Sequence, residues 1–194
     1  TVIEQNLYYV DKTMFIPELE KQPRNLFFIR PRRFGKSIFL SMLYSYYDCT
    51  QSHKFQSLFG NLWIGQHPTP LQGKYQVLFL DFSQITGNID KLETKFNSYL
   101  SINLDAFVRQ YSEYYQAEME EILAQEDFEE KMELIFKAAK AHQYHLYLII
   151  DEYDNFTNVI LNERGEMCIM RLPMPTAFIV MSSRSSRVIL SVSS

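Results

Sequence analysis

The sequence predicts a mixed α/β domain in which a parallel sheet is flanked by helices. Three observations carry that expectation: apolar runs of strand length with no polar alternation, helical stripes between them, and a Gly-Lys-Ser turn joining one such strand to one such helix. At 194 residues the chain is one domain by size. Its 46% apolar and 15% aromatic content supplies too much burial for a disordered chain. With 19 Lys+Arg against 23 Asp+Glu, the net charge of -4 gives no global basic field for nucleic acid. Two cysteines, Cys49 and Cys168, are too few for a disulfide framework and lack metal-ligand spacing, which favours a reducing compartment. No apolar run approaches the roughly 18–20 residues that span a bilayer, and no signal peptide opens the chain. The expected location is cytoplasmic.

Tyr8-Tyr9-Val10 is a short β-prone run, after which Asp11 or Thr13 can cap a helix over residues 14–20. Pro17 is tolerated there because it falls in the first turn. Asn25-Leu26-Phe27-Phe28-Ile29 is the first buried strand. It ends in Arg30-Pro31-Arg32-Arg33-Phe34-Gly35-Lys36-Ser37, and Phe39, Met42, Leu43 and Tyr46 then recur at helical spacing down to Asp48. A loop around Pro68, Pro70 and Gly73 precedes the second strand, over residues 77–83. Ile89, Leu92, Phe96, Leu100 and Leu104 set one helical stripe; Phe128, Met132, Ile135 and Ala139 set another. The acidic stretch between them, from Glu118 to Glu130, is a solvated helix face with no chemistry of its own. Residues 146–150 form the third strand and run straight into Asp151-Glu152. His53, His67, His142 and His145 have no spacing that suggests a metal site or a triad. Phe59, Leu62, Trp63 and Cys49 read as packing.

A bound triphosphate requires backbone N–H groups around the β-phosphate, a cation on the β/γ oxygens, and a held Mg²⁺. Gly35 allows close backbone approach, Lys36 supplies the charge, Ser37 can offer its hydroxyl to Mg²⁺, and the helix that follows points its N-terminus at the anion. The general P-loop pattern has a further Gly where this chain has Arg30, so the match is partial, and a chance Gly-Lys-Ser is the plain alternative. Four apolar residues followed by Asp151-Glu152 form the pattern of a Walker B strand. Asp151 would hold Mg²⁺ with Ser37, and Glu152 would polarise the attacking water; the plain alternative is two solvated acids at a strand end. The two motifs together, each at the C-terminal end of a buried strand, point to an ATP site. Its residues are Arg33, Phe34, Gly35, Lys36, Ser37 and Ile38 for the nucleotide, Ser37 and Asp151 for the metal, and Lys36 and Glu152 for catalysis. Arg32 and Arg33 could add charge to the cradle, contact a partner's nucleotide, or solvate the loop. Asp81 stands behind the metal or caps a turn, and the segment 8–13 packs near the base or simply starts the domain.

These motifs resemble the bacterial AAA-ATPase-like family. The resemblance rests on Tyr8-Tyr9-Val10-Asp11-Lys12-Thr13, the Arg30 to Ser37 loop, Leu80-Asp81-Phe82-Ser83 and Ile150-Asp151-Glu152-Tyr153-Asp154-Asn155, and spans roughly residues 1–166. The family's loop reads R-P-R-R-F-G-K-S, so Arg30 fits it. The resemblance implies an ATPase module of the additional-strand P-loop type with sheet order 5-1-4-3-2, ATP and Mg²⁺ as cofactors, and, in full-length relatives, a fused effector domain similar to PD-(D/E)XK nucleases. Two other functions stay open: a nucleotide switch or scaffold that barely hydrolyses ATP, and a nucleic-acid-binding module using Arg30, Arg32, Arg33 and Lys36, against which the net charge argues.

From Met167 onward the composition changes, with Met167, Met170, Met174 and Met181 close together and a Ser-rich end. One reading takes residues 177–181 as a strand, with Ser182 or Ser183 as a polar sensor and Arg184 behind it. The favoured reading is a shifted frame over 167–194, which leaves 1–166 as the ATPase part. The fourth strand, between the first and third, would then be lost, the sheet edges left open to association, and the ATPase truncated and largely inactive.

Overall fold

The computed structural model describes residues 10–22, 25–29, 35–85, 91–152 and 178–182. A 3₁₀ turn, Thr13–Phe15, leads into α1, Ile16–Glu20, where Pro17 sits at the helix start. Asp11 organises this entry by accepting hydrogen bonds from the Thr13 amide (2.8 Å) and hydroxyl (2.7 Å). The first strand, β1, is Asn25–Ile29, and α2 spans Lys36–Tyr47. A 3₁₀ segment, Cys49–Lys54, and the short helices α3, Phe55–Phe59, and α4, Trp63–Gln66, lead to β2, Gln76–Asp81. The remaining helices are α5, Leu92–Gln110, α6, Met119–Ala124, and α7, Phe128–His142. Strands β3, Leu146–Asp151, and β4, Phe178–Ser182, complete the described elements.

All four strands run parallel in the order β1-β4-β3-β2. The expectation that the tail supplies no strand is therefore corrected. Phe27 pairs with Val180 on one side of β4, and Ile150 pairs with Val180 on the other. A short run of β-branched and aromatic residues suffices for this, because a strand flanked on both sides needs backbone partners more than length. The order reproduces four members of the five that the resemblance implies, and no fifth strand occurs among the described residues.

Each face of the sheet carries its own core. On one, Leu80 of β2 and Leu148 and Ile150 of β3 pack with Leu92, Phe96, Leu100 and Leu104 of α5 and Phe128, Met132 and Ile135 of α7. On the other, Val77, Tyr147 and Ile149 pack with Ile16, Leu40, Leu43 and Tyr47 from α1 and α2. Alternate residues of β3 thus go to opposite cores, which explains the absence of polar alternation. Fully burying such a side chain contributes about 1.5–3 kcal/mol. In α2 the stripe positions Met42, Leu43 and Tyr46 are buried, but its first member, Phe39, is only half-buried and Leu40 is buried instead. The acidic stretch resolves into capping and surface pairs: Asp127 accepts from the amides of Glu129 and Glu130, and Glu118 meets His142 at 2.9 Å.

Strand β2 is an edge of the described sheet, and two of its outward amides are covered. The Val77 N–H donates to the Tyr111 hydroxyl and the Asp81 N–H to the Tyr99 hydroxyl, each at 2.8 Å. Tyr111 in turn donates to Asp48, a fully buried carboxylate that also takes the Thr50 amide and hydroxyl. Burial, with Asp48 beside it, pushes the Tyr111 hydroxyl well above its ordinary range and keeps it a donor. Hydroxyls thus blunt this edge at Val77 and Asp81.

Replacing Tyr111 by Phe should cost about 1–3 kcal/mol in urea denaturation, because it strands the buried Val77 amide and leaves Asp48 Oδ2 with Gln110 as its remaining donor. Val180→Pro should lower stability by at least about 2–3 kcal/mol, since proline belongs at sheet edges and Val180 lies in the second strand from the β1 edge. A wild-type unfolding curve for Val180→Pro would place β4 outside the sheet.

Candidate functional site

Strands β1 and β3 end at the same rim of the sheet, and each delivers part of one polar cluster. Gly35 precedes α2 in the left-handed conformation, φ +72°, where other residues are strained. Among the described residues, no side chain caps α2. The amides of its first turn, which no helix can satisfy internally, therefore lie beside Gly35. Lys36 opens the helix with a buried side chain, whereas Ser37 and Ile38 are exposed. Arg30, Arg32, Arg33 and Phe34 lie outside the described residues, as do Tyr8, Tyr9, Ser183 and Arg184.

The two sequence motifs meet. The Ser37 hydroxyl donates to Asp151 Oδ2 at 2.8 Å across 114 positions of chain. The other carboxylate oxygen of Asp151 accepts the Glu152 amide at 2.9 Å. Glu152 has φ +55°, one of two non-glycine residues with positive φ among those described. Backbone of this kind costs of order 1–3 kcal/mol and persists where the surroundings enforce it. The turn leaves Glu152 Oε1 3.6 Å from Lys36 Nζ. That ammonium is buried and has no hydrogen-bond partner among the described residues. A buried cation held only by a long ion pair is an incomplete site for an anion.

Other candidates fall into structural roles. Asp81 is level with Asp151 in the β2–β3 register, but its carboxylate caps the following 3₁₀ turn, Phe82–Gln84, by accepting the Ser83 amide at 2.9 Å. Asp11 and Thr13 brace the start of α4: Asp11 Oδ2 accepts the Trp63 amide and the Thr13 hydroxyl accepts the Ile64 amide. Burial alone would raise the Asp11 carboxyl, yet the bonds from Trp63 and Thr13 hold it below its usual range. Half-burial pushes the Cys49 thiol up, away from the reactive thiolate. Among the described residues, no group of three or more His, Cys, Asp or Glu side chains could hold a metal ion, and no helix is long and apolar enough to cross a membrane. The sequence reading did not find the strained turn at Glu152, its approach to Lys36, or the bracing role of Asp11 and Thr13. None of these has a local sequence signal.

The sequence model of the family described as Predicted AAA-ATPase matches residues 1–189. The chain belongs to this predicted AAA-ATPase family. The match runs past residue 166 and takes in β4, so the family pattern includes the segment that completes the sheet between β1 and β3. No curated protein and no solved structure matches the chain.

The energetics of Lys36 predict a trade between stability and ligand binding. Lys36→Met should raise the unfolding free energy by about 1–2 kcal/mol, because a hydrophobe of similar volume replaces a poorly paired buried charge. Chemical denaturation without nucleotide checks this. A destabilised Lys36→Met protein would show that the ion pair with Glu152 is a net contributor to the fold.

Proposed function

We propose that this family member is a P-loop ATPase module that binds ATP and hydrolyses it with Mg²⁺. The observation carrying this reading is the Lys36 ammonium, buried at the start of α2 without a hydrogen-bond partner among the described residues and beside the linked pair Ser37 and Asp151. A triphosphate supplies what the ammonium lacks. Gly35 and the free first-turn amides of α2 receive the β-phosphate, and Lys36 neutralises the β/γ oxygens. The assigned cradle is Arg33, Phe34, Gly35, Lys36, Ser37 and Ile38.

The oxygen donors fit Mg²⁺, which uses one or two carboxylates with phosphates and waters and needs no cage of three acids. The Ser37 hydroxyl and the Asp151 carboxylate would hold it, and the ion would neutralise charge developing on the transferred phosphoryl group. Glu152 stands one residue beyond Asp151 and is half-exposed, so its carboxylate can accept a proton from an attacking water. Ser182, whose backbone pairs with Ile29 at the same rim, is the sensor position.

The sheet order supports assigning the additional-strand P-loop class. The residues 167–194 are part of the module in this reading, since β4 separates the strands bearing the two motifs. A nucleotide switch that barely turns over is the second reading. It is favoured by the ion pair that engages Glu152 with Lys36.

Lys36→Ala should abolish binding of a fluorescent ATP analogue measured with Mg²⁺. Undiminished affinity in the folded variant would sink the ATP assignment. Glu152→Gln should still bind nucleotide while phosphate release falls roughly 10²–10⁴-fold, the contribution of a general base. Tight binding with no measurable release by wild-type protein would select the switch.

A further inference from the structure

We infer that Glu152 is a displaceable anion lock on Lys36, so that nucleotide enters by exchanging its phosphate for the Glu152 carboxylate. The inference rests on the proposed ATP site and specifies how that site is regulated. Lys36 Nζ is buried and its side chain is only 5% exposed, yet among the described residues it makes no hydrogen bond and its ion-pair partner is Glu152 Oε1 at 3.6 Å. That separation is an ion pair and not a hydrogen bond. The Glu152 side chain is 31% exposed, so it can leave for solvent at little desolvation cost, whereas Lys36 cannot.

The backbone shows how the lock is aimed. Asp151 is held on both carboxylate oxygens, by Ser37 and by the Glu152 amide. The amide bond to Asp151 and φ +55° together turn the chain just past β3, and the carboxylate of Glu152 lies toward the start of α2 as a result. Lys36 is thereby neutralised by a group belonging to the same motif that is assigned to polarise water. The phosphate that takes Lys36 also releases Glu152 for that second role. Binding and activation of the base are one exchange, and Glu152 cannot serve water while it serves Lys36.

Simple repulsion between Glu152 and a triphosphate would also weaken binding, so the test must separate reach from charge. Glu152→Gln keeps the length and removes the charge. Glu152→Asp keeps the charge but draws the carboxylate back by about 1.5 Å, one carbon–carbon bond, beyond contact with Lys36. Calorimetric titration with the β,γ-imido analogue of ATP and Mg²⁺ should show both variants binding about fivefold more tightly than wild type, the size of one partly exposed ion pair. Tightening by Glu152→Gln alone, or by neither variant, would overturn the lock. Lys36→Ala in parallel isolates the underlying assignment: if it binds the analogue as wild type does, the ATP site itself is wrong. If it loses binding while Glu152→Asp matches wild type, only the lock is wrong.

Discussion

Insertion of β4 between β1 and β3 is the constraint on which the rest of the site depends. Neighbouring strands lie about 4.8 Å apart, so one intervening strand sets the ends of β1 and β3 about 10 Å apart. That gap is what α2 and the turn after β3 must close. They close it with the bond from Ser37 to Asp151 and the ion pair from Lys36 to Glu152. If β4 were absent, β1 would have no described partner, and the loop carrying Gly35 would not be fixed relative to Asp151.

The sheet can hold this arrangement because it is clamped from both faces and guarded at its β2 edge. Two cores, one under α5 and α7 and the other under α1 and α2, fix β2 and β3 against rotation or slippage. The tyrosines contribute more than area. Tyr47 and Tyr147 meet at 5.0 Å between ring centres, while Tyr99 and Tyr111 place hydroxyls on outward amides of β2. Glu20 shows the same economy at the other side, accepting from Tyr47 and Thr69 and so tying α1 to the loop before β2. The salt bridge between Lys131 and Asp105 similarly joins α7 to α5.

Against this rigid frame the rim is costly by construction. It holds a strained residue at Glu152, an uncapped helix start at α2 and a buried ammonium at Lys36. Each lowers stability, and acceptor oxygens would satisfy the last two. Stability lost at the rim and supplied by the cores is the usual division between a binding site and its scaffold.

The sequence by itself determined the class of fold, three of the four strands nearly to the residue, the long helices α2, α5 and α7, and the pairing of a Gly-Lys-Ser turn with an Asp-Glu strand end. These are local: buried strands are continuous apolar runs, amphipathic helices repeat every 3.6 residues, and a left-handed turn such as that at Gly35 favours glycine. Tertiary structure alone decided the place of β4, because residues 178–182 carry no mark of which neighbours they will have, and the unusual composition around them pointed the other way. It also decided that Asp81 and Asp11 are caps, that Tyr111 guards an edge through Asp48, and that Glu152 reaches Lys36. Apart from the local bond between Asp81 and Ser83, each of these is a contact between positions far apart in the chain. Hydrogen bonds and ion pairs of that kind depend on geometry accurate to fractions of an ångström, which only the packed sheet imposes.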